Sequence, residues 1–502
     1  MRAVAGALLL LVSLWLAAGP GPARAADGVV RLTGPRQEIL LNPAGGLPAR
    51  WLACADDCAA DGPARTQVFL RVTMGGGQLR WSVPGDPARE EALNALRYTA
   101  SAGPGGAGSV VLTAVELWEG VPLVHHFRLR PDGRGLDVDL QVPPGAVLRL
   151  TGGEDLVPER LPGLGAWYSR ARPVIVTADG EAEAPDGDGS ASLPLAAGEW
   201  AGVRSRFWAL LLRPATPLPV RLEPADARVP GVVFGAPDPG GRTWRFTLYG
   251  GPVDRATLAA VDPALEGLLY AAIWDWLRVL SFGMAALLDF WHGLLGHWGL
   301  AIVLLSASVK VLMWPLTFLA ERWQADVNRI RSRLEPGLAA IRANLKGEEA
   351  HERTLALYRE HGVSPWYTLK SLAGFLIQIP VFIAAFDMLG EHFGLAGASF
   401  LWIPDLSLPD RLAALPVAVP FFGGHLNLLP FLMTACTVLA ARLQEDPSLA
   451  PALRAGQRLR LYVMALVFFV LLYTFPAGMV LYWTTNNVLH LGRVLVERVR
   501  KK

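Results

Sequence analysis

Residues 298–319 read WGLAIVLLSASVKVLMWPLTFL, an apolar run that carries a single charge, Lys310. The run has about the 20 residues that a membrane-spanning helix needs. A lysine near the middle of such a helix costs roughly 2.5–3.5 kcal/mol on insertion scales, so its presence predicts a function. The alternative is that the ammonium snorkels, because at about 1.5 Å per residue it lies only about 14 Å from the cytoplasmic end of the span.

Composition divides the chain of 502 residues into two parts. Hydrophobic residues make up 52% of the chain, but nearly all the long apolar runs follow residue 268, whereas residues 27–250 are typical of a soluble domain. The net charge of +2 is too small to indicate a nucleic acid partner. Lysine occurs only at positions 310, 346, 370, 501 and 502, so a lysine at 310 indicates selection.

The first 25 residues have the parts of a secretory signal: Arg2, an apolar stretch and a small-residue cleavage site ending at Ala25. The alternative is a short first span, and in either case the next 220 or so residues are exported. Export would allow a disulfide between Cys54 and Cys58, although only three residues separate them. No metal site is indicated there, and Cys436 is expected to pack in its apolar run.

Alternating apolar and polar residues over 27–252 predict an antiparallel β-sandwich. The clearest hairpin joins 127–130 to 136–142 through a Pro131-Asp132-Gly133 turn. Further strands are expected at 110–118, 207–213 and 243–249, with Gly/Pro-rich loops at 101–108 and 184–194. His125 and His126 are adjacent, so on a strand they face opposite ways and predict structural roles. We find no catalytic motif in this region, and neither an enzyme activity nor a cofactor is expected.

From residue 268 the spacing becomes helical. Residues 268–295 predict an amphipathic helix on the outer membrane surface, followed by a membrane domain over 298–495. Beyond the first span over 298–319, spans are predicted at 369–391, 427–442, 460–475 and 477–495, giving five in all. Arginine and lysine crowd the 320–365 and 443–460 segments and the 496–502 tail, whereas the 392–426 loop has only Arg411. The positive-inside rule therefore predicts that these segments are cytoplasmic and the β-sandwich is on the opposite side.

The charged segment over 320–365 has too few apolar residues to enter a bilayer. Its leucines and isoleucine recur at helical spacing on both sides of Lys346-Gly347. This pattern predicts a cytoplasmic hairpin of two antiparallel helices, the alternative being a solvated connector.

Four motifs follow in order through the membrane region. They are Lys310-Val-Leu-Met-Trp-Pro-Leu-Thr317, Leu376-Ile-Gln-Ile-Pro-Val-Phe382, Phe400-Leu-Trp-Ile-Pro-Asp-Leu406 and Phe475-Pro-Ala-Gly-Met-Val-Leu-Tyr-Trp483, the last followed by Asn486. From about Leu268 to the C-terminus the chain resembles the YidC/Oxa/Alb family of membrane protein insertases. The β region is similar, more weakly, to the periplasmic β-sandwich of Gram-negative members.

The resemblance implies a bacterial inner-membrane protein that inserts client transmembrane segments and helps them fold. It implies a hydrophilic groove, open to the cytoplasm and the lipid, in which a basic residue receives the polar flank of a client. Nascent membrane proteins would be the clients, with the lipid bilayer, the Sec translocon and the ribosome as further partners. It implies no covalent chemistry, no cofactor and no metal.

A layer of polar side chains supports such a groove independently. Counted from the cytoplasmic ends of the spans at about 1.5 Å per residue, polar groups on four spans lie at heights of roughly 10–16 Å. Ordinary interhelical hydrogen bonding is the alternative for each neutral residue taken singly. With the aromatic pair of the last motif, the predicted groove residues are Lys310, Gln378, Thr434, Thr437, Tyr482, Trp483, Thr485 and Asn486.

Three positions depart from the family pattern. Lys310 stands where members usually carry arginine, Tyr482-Trp483 replaces a tyrosine pair, and Asp387 lies deep in a span that is usually apolar. Two other classes of function compete with the insertase: a transporter or channel that uses Lys310 as an anion site, and a membrane-tethered carbohydrate-binding protein. The first would be expected to show inverted repeats, which we do not find. The second needs an exposed aromatic platform on the β domain.

Overall fold

The computed structural model describes residues 30–62, 65–69, 79–104, 106–183, 192–223, 230–240, 242–443 and 451–500. The predicted signal or first span over 1–25 lies outside these residues. By contacts the chain forms two compact units. The β unit comprises the chain through Arg160 and Trp167–Ala271, and the helical unit comprises Leu161–Ala166 and the chain from Ala272 onward.

The β unit is built from short strands and two short helices. The helices are α1 (Pro87–Ala95) and α2 (Arg255–Val261). The strands are β1 (Val30–Gly34), β2 (Gln37–Leu41), β3 (Pro48–Cys54), β4 (Thr66–Phe69), β5 (Leu79–Ser82), β6 (Tyr98–Ala102), β7 (Ser109–Ala114), β8 (Val124–Leu129), β9 (Gly135–Val142), β10 (Val147–Thr151), β11 (Arg172–Val176), β12 (Ala182–Glu183), β13 (Ser192–Leu195), β14 (Trp200–Arg204), β15 (Trp208–Pro214), β16 (Leu218–Leu222), β17 (Gly231–Phe234) and β18 (Arg242–Pro252).

Two larger sheets form the sandwich. One has nine strands in the order β12-β11-β14-β15-β18-β9-β8-β7-β6, and the other has five in the order β13-β16-β17-β10-β5. Neighbouring strands are antiparallel, and β14 of the first sheet packs against β10 and β17 of the second. A four-stranded sheet, β1-β2-β3-β4, packs through β3 on β18, where Gly250 gives the Trp51 ring the space that a Cβ would fill. The predicted β-sandwich is confirmed.

The predicted hairpin is also confirmed, since β8 and β9 pair from Leu129 and Leu136 outward. Two details of the predicted strands are wrong. The strand expected over 110–118 ends at Ala114, because the chain turns at Glu119 and Gly120, both with positive φ. The loop expected over 101–108 begins later, because Ser101 and Ala102 pair with β7 as the end of β6.

His125 and Cys54 both have structural roles in the β unit. His125 is fully buried, with Nδ1 2.7 Å from the Gly46 carbonyl oxygen and its ring stacked on Tyr98 at 4.9 Å. Burial lowers the pKa of His125 to about 4, so the ring is neutral. His126 lies half-buried on the other face of the strand, as predicted. Cys54 and Cys58 form a disulfide.

The helical unit contains eight α-helices and one β-hairpin among its described residues. They are α3 (Asp275–Leu295), α4 (Trp298–Leu312), α5 (Trp314–Asn344), α6 (Gly347–Glu360), α7 (Leu369–Glu391), β19 (Ala413–Val419), β20 (Gly423–Leu426), α8 (Leu428–Leu443), α9 (Pro451–Leu472) and α10 (Ala477–Arg500). α10 packs against both α4 and α8, and α3 packs against α4 and α7.

The amphipathic helix begins at Asp275, not at residue 268. Pro263–Leu268 form a 3₁₀ turn with Leu265 and Leu268 buried, and Tyr270 has a φ of 55°. A left-handed residue cannot continue a right-handed helix, so α3 starts after it. The β unit correspondingly extends to Ala271, beyond the predicted boundary at 252.

The run over 298–319 is not one straight helix. α4 ends at Leu312, and α5 starts at Trp314 after a bend of 58°. Pro315 is tolerated in the first turn of α5, but in a continuous helix its ring would clash with the carbonyl group of Val311. The apolar run is therefore divided at Met313, and residues 314–319 form the first turns of α5.

Three other predicted boundaries differ from the structure. The loop expected over 443–460 is helical from Pro451 onward, and α9 ends at Leu472 instead of 475. α10 continues to Arg500 and so includes most of the basic tail predicted at 496–502, of which 501–502 lie outside the described residues. By length and composition, one described helix could cross a membrane, Arg454–Leu472, and the bent pair α4 and α5 would be a second if counted as one span. The predicted total of five spans stays a prediction.

The two helices that follow the bend form a hairpin. α5 and α6 pack on each other and are joined by Leu345 and Lys346, as predicted, although the first arm starts at Trp314 and not at 320. The hairpin has its own apolar cluster, formed by Val327, Leu334, Ile341, Leu357 and Tyr367. It is therefore a packed element and more than a solvated connector.

Candidate functional site

The site lies where α4 and α10 pack together. Small residues permit this approach: a Cβ on Gly478 of α10 would lie only 3.4 Å from Cδ1 of Ile302 on α4. Ser306 and Lys310 are four residues apart on α4, and Tyr482 and Asn486 are four apart on α10, so each pair lies on one face of its helix.

Two hydrogen bonds join these faces one helical turn apart. The Ser306 hydroxyl donates to the main-chain oxygen of Tyr482 at 3.3 Å, and Nζ of Lys310 donates to the main-chain oxygen of Asn486 at 2.8 Å. Asn486 also donates from Nδ2 to the Tyr482 oxygen at 3.2 Å. Lys310 is half-buried, so its charge sits at the seam between the two helices.

The Lys310 ammonium keeps donor capacity. An ammonium has three N–H donors, and a main-chain carbonyl group occupies one of them. Among the described residues the other two have no hydrogen-bond partner, and no carboxylate forms an ion pair with Lys310. A carboxylate from outside could therefore bind this ammonium without first displacing an ion-pair partner.

A second polar group lies further along α10. Both terminal nitrogens of Arg493 contact Glu321 of α5, at 2.6 and 2.8 Å, and its Nε contacts Glu497 at 2.9 Å. His490 is half-buried and lies three residues before Arg493 on α10. Sequence analysis missed His490, Arg493 and Glu321. The spacing 486, 490, 493 and 497 could have shown His490 and Arg493, because it places those side chains on one face of α10. It gives no signal for Glu321, which is on α5.

The predicted threonines bond within their own helices. Thr434, Thr437 and Thr485 donate to the carbonyl oxygens four residues earlier, at 2.8, 3.0 and 2.8 Å. Their protons are thus used locally, and only their oxygens remain as acceptors. Thr434 and Thr437 are on α8, which packs against α10, the helix that carries Thr485. The structure shows no hydrogen bond from these three hydroxyls to Lys310 or Asn486.

The remaining predicted residues have different surroundings. Tyr482 is buried at the seam, and Gln378 is exposed on α7. Trp483 is half-buried, and its ring lies 4.9 Å from Phe382 and 5.1 Å from Phe468, so much of its surface packs within the bundle. Asp387 is half-buried on α7.

One family model matches the part of the chain that contains this site. The family model described as 60Kd inner membrane protein matches residues 290–502. The membrane protein insertase YidC of Syntrophobacter fumaroxidans is 32% identical over 257 residues, which are 50% of this chain and 43% of that protein. The YidC of Cupriavidus metallidurans is 32% identical over 249 residues, 49% of this chain and 40% of that protein.

The chain thus spans about two fifths of the length of the curated relatives it matches. Among solved structures, an active YidC insertase crystal structure with its first transmembrane domain resolved is 17% identical and covers 98% of both chains, with a TM-score of 0.37.

Proposed function

Because residues 290–502 match the family model described as 60Kd inner membrane protein, we propose that the chain is a membrane protein insertase and chaperone. Its clients would be nascent membrane proteins, whose transmembrane segments enter the lipid past the seam of α4 and α10. The proposed residues that meet the client are Lys310, Gln378, Thr434, Thr437, Tyr482, Thr485 and Asn486, with Trp483 contributing the part of its ring that stays exposed.

The single observation that carries this proposal is the state of Lys310. The side chain is half-buried and bonded to the Asn486 carbonyl oxygen at 2.8 Å, and two of its donors remain available. A client's acidic flank can pair with that charge while it leaves water, which lowers the cost of moving it. Burial of the client's apolar span supplies the driving force, at roughly 25 cal/mol per Å². The role needs no covalent step.

We further propose where each part of the chain works. The helices over 298–495, apart from the hairpin of α5 and α6, would lie in the bacterial inner membrane, and the β-sandwich would be exported to the periplasm. The hairpin of α5 and α6 would project into the cytoplasm, where its basic residues are concentrated. There it could meet client termini, the ribosome or the Sec translocon.

Insertion of a single-span client with a short acidic translocated tail tests the proposal. Vesicles would carry the wild type or a Lys310→Arg, Lys310→Ala or Lys310→Glu variant. Arginine should preserve insertion because the charge is kept, alanine should reduce it, and glutamate should reduce it further because like charges repel in a partly desolvated site. Arg245→Ala removes an exposed cation from the β unit, outside the proposed client-binding residues and the hairpin, and serves as the control.

A second client with a neutral tail sharpens the result. The loss with Lys310→Ala should be larger for the acidic tail than for the neutral one, whereas general misfolding would reduce both equally. Equal insertion of the acidic client by all Lys310 variants would show that the lysine only bonds α10, and the proposed site would be wrong.

A further inference from the structure

The β-hairpin of β19 and β20 has an unusual surface. It lies within Leu412–Ala441, thirty residues without one Asp, Glu, Lys or Arg. Most of β19 is exposed, and the exposed fraction of Val417 reaches 74%. Leu412, Val419 and Phe421 are each exposed by more than 40%. Leaving these apolar side chains in water is unfavourable, even without counting the strand's backbone groups.

The base of this hairpin is firmly packed. The Phe422 ring lies 5.0 Å from Tyr473, at the end of α9, and the Tyr473 hydroxyl donates to the His425 carbonyl oxygen at 3.1 Å. Pro162 covers Gly423, whose φ is 84°. The apolar strand is therefore held out from a fixed base, and its exposure belongs to the folded structure.

A second strand is a poor match for the exposed edge. Pro416 and Pro420 have no N–H to donate, and the ladder between β19 and β20 is interrupted between Ala414 and Val419. Prolines and bulges of this kind oppose pairing with another copy of the chain. The occupant must instead accept apolar side chains while the N–H and C=O groups of the edge stay hydrated, and the interface between lipid headgroups and acyl chains allows both.

The position of the hairpin agrees with lipid. The hairpin leads into the start of α8 and packs on Tyr473, which follows the last residue of α9. The arginines at 442, 454, 458 and 460 are toward the opposite ends of these two helices. Next to it, α8 continues the uncharged surface through the exposed Phe431 and Leu432. Tyr473 is of the aromatic type that is enriched at the boundary between lipid and water, and Phe421 and Phe422 add apolar rings beside it.

We propose that the β19–β20 hairpin lies in the outer leaflet, at the interface between headgroups and acyl chains, with Val417 and its neighbours against lipid. This inference rests on the proposed membrane placement of the helices. It assigns a lipid-binding surface to the 392–426 loop, for which sequence analysis predicted no role.

Spin labels in the full chain test this inference separately from the membrane placement. In a Cys436→Ser background, which leaves Cys54 and Cys58 in their disulfide, single cysteines would replace Val417, Leu466 or Glu348. Leu466 is exposed on α9 and Glu348 is exposed on α6. The proteins would be reconstituted in vesicles of phosphatidylethanolamine and phosphatidylglycerol, and each label's collisions with oxygen and with a water-soluble nickel chelate would be measured.

The label at 417 should favour oxygen over nickel several-fold more than the label at 348, as should the label at 466. If 466 favours oxygen and 417 behaves like 348, the hairpin is in water and the inference is wrong, while the membrane placement stands. If 466 also behaves like 348, the placement itself fails. Spin–spin broadening at 417 that disappears on dilution with unlabelled protein would identify a second copy as the occupant and would overturn the inference.

Discussion

Arg493 and Glu321 form a bidentate ion pair between α10 and α5, with nitrogen–oxygen distances of 2.6 and 2.8 Å. Glu321 lies in the second turn of α5, just past the 58° bend at Met313. The pair therefore links the base of the hairpin to the helix that forms one side of the seam carrying Lys310. Both side chains are almost half exposed, so the energy of the pair is that of a surface interaction.

We expect Arg493→Glu to loosen the base of the hairpin, because the new carboxylate would face Glu321 and Glu497. A cysteine in place of the buried Ala320 reports this as faster labelling by a thiol reagent in the Cys436→Ser background. The charge-reversed pair Glu321→Arg with Arg493→Glu should restore slow labelling, with a coupling of about 0.5–1 kcal/mol that weakens in high salt. Arg329→Glu is the matched control, because its partner Asp326 is on the same helix. Failure of the double variant to restore protection would contradict a direct pairing.

Two glycine-to-alanine substitutions should change stability in opposite directions. A Cβ on Gly299 would lie 2.0 Å from Cγ of Phe400, so Gly299→Ala must displace that residue and should cost about 1–3 kcal/mol. Nothing lies within 4 Å of a Cβ on Gly492, so Gly492→Ala should stabilise α10 by about 0.5–1 kcal/mol through helix propensity. Thermal unfolding in detergent measures both. A Gly299→Ala protein as stable as Gly492→Ala would show that the contact with Phe400 is readily relieved.

The sidedness of the helical unit can be read from cysteine reactivity. Lys346→Cys and Ala455→Cys, each in the Cys436→Ser background, should stay unlabelled by an impermeant thiol reagent added to intact cells and become labelled after the inner membrane is opened, because basic segments stay in the cytoplasm. Arg245→Cys, at an exposed position of the β unit, should react without permeabilisation. Labelling of 346 or 455 in intact cells would reverse the proposed topology.

The buried His125 should make the β unit sensitive to acid. Its pKa of about 4 in the folded protein lies below the usual value near 6.5, so between these values the unfolded chain binds the extra proton. The stability contributed by the neutral ring is complete above about pH 6.5 and falls as the pH drops, by about 2–3 kcal/mol at pH 4.5. Hydrogen-exchange protection of β7 to β9, corrected for intrinsic rates, measures this loss. It should be smaller in His125→Gln, whereas His126→Gln on the opposite face should keep the wild-type dependence.

Sequence patterns predicted the elements in which one periodicity runs without interruption. The alternation around Pro131-Asp132-Gly133 located β8 and β9, and the predicted span over 369–391 has the same bounds as α7. The bend at Met313 was missed because hydropathy treats residues 298–319 as one run, although Pro315 cannot continue a helix. The β19–β20 hairpin was missed because its apolar residues face no core and so follow no inward and outward pattern.

Only part of the candidate site was predicted, because a residue count along each helix does not show how side chains pack. Counting residues along straight helices placed Lys310 and Asn486 at similar heights, and the structure joins them by a hydrogen bond. The count cannot show how a side chain is directed within its own bundle. The threonine protons bond backward along their helices, and Trp483 packs among phenylalanines, because local carbonyl groups and neighbouring rings were the nearest partners.

The break after Leu312 leaves α4 with only 15 residues, a length of about 22 Å. A typical hydrocarbon core is about 30 Å thick, so in the proposed placement α4 is several ångströms too short for it. α8, with 16 residues, is nearly as short. A bilayer adapts to such mismatch by thinning around the protein. A polar flank that crosses beside α4 would then be dehydrated over a shorter distance than anywhere else in the membrane.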